Sequence, residues 1–248
     1  MNDSKDFIFG IHTIEEAILA GKNIDKVLIQ KEMSNHAQLK ILYELLRQRF
    51  IPFQEVPIFK LDKITRKNHQ GVIAFLAPVS FHSLSEIIQG VFEKGENPFI
   101  LILDRITDVR NFGAIIRSAE GAGVHAVVVP FKETAQIGND AMKTSSGALS
   151  YVPICREFNL TNTVQYLQNS GLQVIACSEK TEKDIYDLDF TVPTAIIVGS
   201  EETGIAPDLL RKANAIGRIP MFGHVGSLNV SVSAAVAMYE LVRQRKTI

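Results

Sequence analysis

Apolar positions along this chain follow two rhythms. In the first third they come in short bursts separated by turn residues. Phe7-Ile8-Phe9-Gly10 leads into an amphipathic run, Ile11 to Ala20, that stops at Gly21. Lys26–Gln30 reads as a strand, Gln38–Phe50 as a helix through Leu39, Ile41, Leu42, Leu45 and Leu46, and Pro52–Val56 as a strand. A short helix near Phe59–Thr65 and a strand over Gly71–Leu76 complete a small α/β unit of residues 1–78. Residues 79–97 hold Pro, Ser and Gly around a short amphipathic helix at Leu84–Phe92, the pattern of an inter-domain connection.

From Phe99 the rhythm changes. Continuous apolar runs recur at Phe99–Leu103, His125–Val129, Tyr151–Cys155, Leu172–Cys177, Thr194–Val198 and Ala215–Ile219, with helical stretches between most of them. Strands without alternation are buried on both faces, so residues 98–248 should form an α/β domain around a mainly parallel sheet. Ligands of such sheets bind beyond the carboxyl ends of the strands. The residues that follow each strand therefore carry most of the information.

Three such segments stand out. The first is Asp104-Arg105-Ile106-Thr107-Asp108-Val109-Arg110-Asn111-Phe112-Gly113-Ala114-Ile115-Ile116-Arg117. Asn111 is placed to cap a helix whose buried face is Phe112, Ile115, Ile116 and Ala119. Arg117 falls off that stripe and leans back over Gly113 and Ala114, which leave its stem room to approach the helix start. The helix dipole is positive there, so an Arg in that place is suited to meet an anion. An ordinary surface Arg paired with Glu120 or Asp108 is the plainer alternative. The second segment, Val198-Gly199-Ser200-Glu201-Glu202-Thr203-Gly204, ends a buried strand in a Gly through which a ligand could approach the backbone. Alternatively its two carboxylates simply favour a helix start. It lacks the spacing of a dinucleotide fingerprint and the Lys of a P-loop, which leaves a nicotinamide dehydrogenase remote. The third runs from Ile219-Pro220-Met221 through a Gly-rich turn into Ser227-Leu228-Asn229-Val230-Ser231-Val232-Ser233-Ala234-Ala235. So many small residues imply close packing against another backbone or a ligand.

Composition narrows the picture further. The chain has 248 residues, 46% of them hydrophobic and 21% charged, which is globular. Cys155 and Cys177 form neither a disulfide framework nor a ligand set, which suits a reduced, cytoplasmic setting. No apolar run is long enough to span a bilayer, and Met1–Asp6 precede no signal-peptide core. Metal-ligand spacings are missing, so no metal is expected. The net charge of −1 does not advertise a nucleic-acid binder. Any basic footprint must be local. Residues 1–78 carry 11 Lys and Arg against 9 Asp and Glu, and one cluster gathers Lys60, Lys63, Arg66 and Lys67 around Asp62. A solvated loop face would look the same.

Taken together, the three segments resemble the SpoU family of RNA ribose 2′-O-methyltransferases, the trefoil-knot class that uses S-adenosylmethionine. Their N-x-G-x-x-x-R, strand–G-x-E-x-x-G and I-P-M…S-L-N-V-S-V motifs match in order and spacing. Phe9-Gly10-Ile11-His12 and His69-Gln70-Gly71-Val72 are similar to the ribosomal-protein-like domain that precedes the knot in bacterial enzymes modifying a guanosine of 23S rRNA. Val109-Arg110 stands where that family often has Pro-His or Pro-Gln, and Phe112 where Leu or Val is usual. The resemblance implies a deep trefoil knot and catalytic roles for Asn111, Arg117, Glu201, Ser227 and Asn229. It places the cofactor against Gly199, Ile219, Met221 and Leu228. It implies an RNA partner, 23S rRNA or a ribosome-assembly intermediate, bound through Lys60, Lys63, Arg66, Lys67 and Arg110, and a homodimer. The alternatives are the same chemistry on tRNA or another rRNA nucleotide, and a non-catalytic RNA-binding assembly factor.

Overall fold

The computed structural model describes residues 7–33 and 39–246. Gln38, the first residue of the expected second helix, and the Met1–Asp6 stretch lie outside the described residues. The chain divides into two compact units, Met1–Ser80 with Ile137–Asn139, and Phe81–Gln136 with Asp140–Ile248.

In the first unit the order is β1 (Phe7–Phe9), α1 (Ile11–Leu19), β2 (Ile24–Gln30), α2 (Lys40–Gln48), β3 (Phe53–Val56), α3 (Ile58–Ile64) and β4 (Val72–Leu76). The four strands form one sheet in the order β1-β4-β2-β3, antiparallel except for the β2–β3 pair. Ile14 and Ile18 of α1 and Leu42 and Leu46 of α2 cover one face with Val27, Ile29, Val72 and Ala74. Leu61 of α3 covers the other, against Leu28, Val56 and Ile73. The two motifs at Gly10 and Gln70 turn out to be a structural joint. Gly10 and Gly71 both have positive φ, and a side chain on Gly71 would strike Met33. The Gln70 side-chain oxygen accepts the Ile11 N–H at 3.1 Å, which satisfies a donor at the start of α1 that no local cap provides.

The second unit continues with α4 (Leu84–Glu93), β5 (Phe99–Asp104), α5 (Val109–Gly121), β6 (Ala126–Pro130), α6 (Asn139–Thr144), β7 (Ile154–Glu157), α7 (Leu160–Asn169), β8 (Gln173–Cys177), β9 (Thr194–Gly199), α8 (Pro207–Lys212), β10 (Ala215–Gly217) and α9 (Val230–Lys246). Its six strands are all parallel in the order β10-β8-β9-β5-β6-β7. Ile100, Ile102, Val128, Val174 and Ile197 pack on α7 and α8. Leu84 and Ile88 of α4, within the stretch expected as a connection, are buried in this same core. On the other face α5 and α9 pack against each other, and α9 lies on β8 and β9. Met238 and Leu241 of α9 are fully buried there.

Several boundaries differ from the sequence reading, three of them by enough to matter for the second unit. Tyr151 is exposed and β7 begins only at Ile154. β10 ends at Gly217, where a side chain would meet Leu188 and Ile185, so Ile219 lies beyond it. The helix begun by the small residues starts at Val230, after the polar residues.

Candidate active site

Strands β8, β9 and β10 end side by side, and the loops leaving them surround a cleft of about 610 Å³. Cys177–Lys180 line it after β8, Val198–Ile205 after β9, and Gly226–Val230 where the chain enters α9. An adjoining recess shares Ser227 and Leu228 and adds Ile219 and Met221. All four residues expected at the cofactor, Gly199, Ile219, Met221 and Leu228, therefore line this composite cavity. Its volume falls within the range of about 300–1,000 Å³ typical of small-molecule sites. Burial pushes the Cys177 thiol at its edge up to about 12, so it is an inert wall group.

Asn229 ties the three motif segments together. Its Nδ2 donates to Asn111 Oδ1 at 3.1 Å, across 118 residues of sequence, and also to Glu201 Oε1. Its Oδ1 accepts the Ser231 N–H at 2.9 Å and the Ser231 hydroxyl at 2.5 Å. With two acceptors facing the nitrogen and two donors facing the oxygen, the amide has one self-consistent orientation. Asn229 also serves as the cap of α9, since its carbonyl accepts the Ser233 N–H.

Glu201 has a second bond, from the Val230 N–H at 3.2 Å. The sequence suggests a carboxylate at a helix start, and one is found, but at a different helix. α8 begins six residues further on, at Pro207, and Glu201 instead faces the positive end of α9. Ser227 lines the cleft beside them.

Three further expectations are corrected. Asn111 does not cap α5. Asp108 does, accepting the Arg110 and Asn111 N–H groups at 2.8 Å each, which frees the Asn111 side chain for Asn229. Nor does Gly199 open the backbone to a ligand on its side-chain face. A Cβ there would lie 2.3 Å from the Gly204 carbonyl carbon, because the loop folds back on itself. Gly113 likewise faces Thr144, whose hydroxyl donates towards the Asp140 and Val109 carbonyls, rather than the Arg117 stem.

Arg117 is exposed on α5 and has no ion pair or hydrogen bond among the described residues, so neither Glu120 nor Asp108 holds it. It does not join the Asn111–Glu201–Asn229 group. Arg110 is exposed at the start of the same helix. In the first unit Lys60, Lys63, Arg66 and Lys67 are all exposed, and Lys63 sits 5.7 Å from the ring centre of the half-exposed Phe59. Asp62, the acid among them, is engaged by His69 Nε2 at 3.1 Å.

Sequence reasoning passes over two residues that bond the loop after β9, Asp104 and Arg105. Asp104, the last residue of β5, is buried and binds both Arg105 and the Ala206 N–H. A charged residue closing an otherwise apolar strand is the signal that could have found them.

Known proteins match this arrangement over its whole length. The sequence model of the SpoU rRNA Methylase family matches residues 98–239, and that of RNA 2′-O ribose methyltransferase substrate binding matches residues 7–82. A protein of Bacillus subtilis provisionally named a TrmH family tRNA/rRNA methyltransferase, YacO, is 32% identical over 248 residues, covering 100% of this chain and 99% of its own. One of like name from Staphylococcus saprophyticus is 33% identical over 241 residues, covering 97% of this chain and 96% of its own. A crystal structure of the SpoU methyltransferase AviRb from Streptomyces viridochromogenes, in complex with the cofactor AdoMet, superposes with a TM-score of 0.61 at 25% identity, covering 97% of this chain and 90% of that one. By sequence model, relatives and fold, the chain belongs to the SpoU rRNA Methylase family and is an RNA methyltransferase.

Proposed function

We propose that this protein transfers a methyl group from S-adenosylmethionine to the ribose 2′-hydroxyl of a guanosine in 23S rRNA. The observation that carries the reading is the Asn111–Asn229–Glu201 group, whose Asn229 and Glu201 line a cleft that the loops after three parallel strands enclose. Such a cleft offers the adenosine of the cofactor backbone groups at Gly199, Gly226 and Leu228, with Ile219 and Met221 in the recess. The chemistry that the cofactor brings is an electrophilic methyl group on a sulfonium. The close packing of the Gly199–Ile205 loop on itself also suits the trefoil knot that the resemblance implies.

The residues of the chain have the remaining tasks. A ribose hydroxyl is a weak nucleophile, so it must be oriented, relieved of its proton and stabilised as charge develops. Ser227 and Asn111 present a hydroxyl and an amide to orient it, and Asn229, itself held by Glu201, fixes the Asn111 side chain. Arg117 is a cation without a partner among the described residues, suited to hold the substrate phosphate and lower the hydroxyl pKa. A guanidinium stays protonated in nearly all settings, so the proton passes to another acceptor, such as that phosphate. Residues 98–248 perform the transfer. Residues 1–78 hold the RNA through Lys60, Lys63, Arg66 and Lys67, with Arg110 near the site. The protein acts in the cytoplasm as a homodimer.

Nucleotide-resolution mapping of ribose methylation, in cells with and without this protein, tests the target. Loss of one 23S rRNA guanosine mark is expected. Loss of a tRNA mark would redirect the proposal, and no lost mark would overturn it. Arg117→Ala should abolish turnover in vitro while calorimetry still detects S-adenosylmethionine binding. Intact turnover would remove Arg117 from the mechanism.

A further inference from the structure

A buried carboxylate needs a partner, because an isolated charge is poorly tolerated away from water. Asp104 is 4% exposed, and its partners are informative. Arg105 grips it in a two-pronged pair, Nε to Oδ1 at 3.1 Å and Nη2 to Oδ2 at 3.0 Å. The Ala206 N–H donates to the same Oδ2 at 2.7 Å. Arg105 Nη2 also donates to the Gly204 carbonyl at 3.1 Å. The Asp104–Arg105 pair thus holds the far end of the Gly199–Ala206 loop at two points.

The near end is fixed independently. Gly199 pairs with Asp104 in the β5–β9 ladder, and the Gly204 N–H donates to the Ser200 carbonyl at 2.8 Å. Gly199 rests against the Gly204–Ile205 backbone with no space for a side chain. The loop is therefore a closed turn, and Glu201 stands within it. Arg105 reaches this position with φ of +58°, a region that residues with side chains seldom occupy. Such a conformation persists only where surrounding contacts over-determine it, and it tends to mark functional sites.

We infer that Arg105, oriented by Asp104, is a positioning residue for the methyl-donor cleft. It holds the Gly199–Ala206 loop closed, so that one wall of the cleft is formed before any ligand arrives and Glu201 stays in reach of Asn229. Neither residue touches the reacting atoms. Arg105 acts through the Gly204 carbonyl, and Asp104 through Arg105 and Ala206. This inference rests on the proposal that the cleft takes S-adenosylmethionine.

Three variants separate its parts. Arg105→Lys keeps the charge but loses the two-pronged geometry. Arg105→Ala removes the clamp and keeps a side chain at positive φ. Arg105→Gly removes the clamp and relieves the backbone. Two measurements apply to the full-length protein: amide hydrogen exchange at Gly204 and Ala206 without ligand, and calorimetric titration with S-adenosylmethionine. All three variants should exchange faster at these amides and bind the cofactor weaker by about tenfold to a hundredfold, the cost of small misplacements remote from the chemistry. Affinity for RNA should stay as in the parent. Wild-type exchange and cofactor affinity in Arg105→Gly would overturn the inference. So would an equal loss of RNA and cofactor binding with a lowered melting temperature, which marks a general structural role. If the parent protein itself binds no S-adenosylmethionine, the cleft assignment fails, while the exchange rates still decide whether Arg105 holds the loop.

Discussion

Gly113 and Gly199 are motif glycines fixed by this chain's own atoms. A Cβ on Gly113 would lie 2.1 Å from the Thr144 hydroxyl, and one on Gly199 within 2.5 Å of three backbone atoms of Gly204 and Ile205. Backbone cannot move aside as a flexible side chain can, so Gly199→Ala should displace the loop and destabilise the protein by about 1–3 kcal/mol, as overpacking does. Gly223, in the turn before α9 with open space around it, is the control, and Gly223→Ala should stay within about 0.5 kcal/mol. Denaturant unfolding of the two variants checks this, and equal stability would refute the packing argument. The sequence marks both glycines as special but misjudges what approaches them. The approaching atoms belong to a returning loop in one case and to Thr144, 31 positions away, in the other. No local pattern carries that information. Asn111 is misjudged for a related reason. Asp108 and Asn111 are both good caps, and only the observed start of α5 shows that Asp108 takes the role.

At the scale of elements, the strands of the second unit are legible because a parallel strand covered on both faces must be apolar throughout. The apolar run predicts Phe99–Leu103, and Phe99–Asp104 is found. The bonds that seat α9 are not legible, since they join its last turns to chain segments far back in sequence. Gln244 bridges to the Leu188 carbonyl at 2.9 Å and accepts the Phe190 N–H at 2.8 Å. Arg245 donates to the carbonyls of Phe190, Asn97, Pro98 and Val192. Glu240 is buried among these and receives Arg243 through Nε and Nη2, each at 2.8 Å, and Gln244 at 2.7 Å. The Arg243 bonds, aided by Gln244, hold the Glu240 carboxyl below its ordinary value of 4.5. A depressed folded-state pKa contributes stability above the unfolded value and loses it as pH falls through the folded one. Glu240→Gln should therefore melt at a lower temperature than the parent at pH 7. The difference should shrink as pH drops below 4.5, and thermal melts between pH 7 and pH 3 would show it. A gap that stays constant over that range would mean that the charge of Glu240 contributes nothing.

For the whole molecule, the net charge of −1 hides a division of labour. The cleft is lined by residues of the second unit, whereas the exposed Lys60, Lys63, Arg66 and Lys67 belong to the first. Their acidic neighbour Asp62 faces His69, which leaves the four cations to solvent or to a polyanion. An RNA that meets them releases condensed counterions, so its affinity falls with the logarithm of salt concentration, by about 0.7 per neutralised phosphate on a single strand. Changing all four residues to Gln should weaken RNA binding and flatten this slope by about 0.7 for every phosphate that is no longer neutralised. Affinity for S-adenosylmethionine should not change, since none of the four lines the cleft. Fluorescence titrations with a fragment of ribosomal RNA across a series of KCl concentrations give the slope, and calorimetry gives the cofactor affinity. An unchanged slope would show that this cluster is a solvated face and that RNA is held elsewhere. A flattened slope with intact cofactor binding would establish that a nearly neutral protein grips its polyanionic substrate with four local charges, while the methyl donor is bound by a separate cavity built largely of loop backbone.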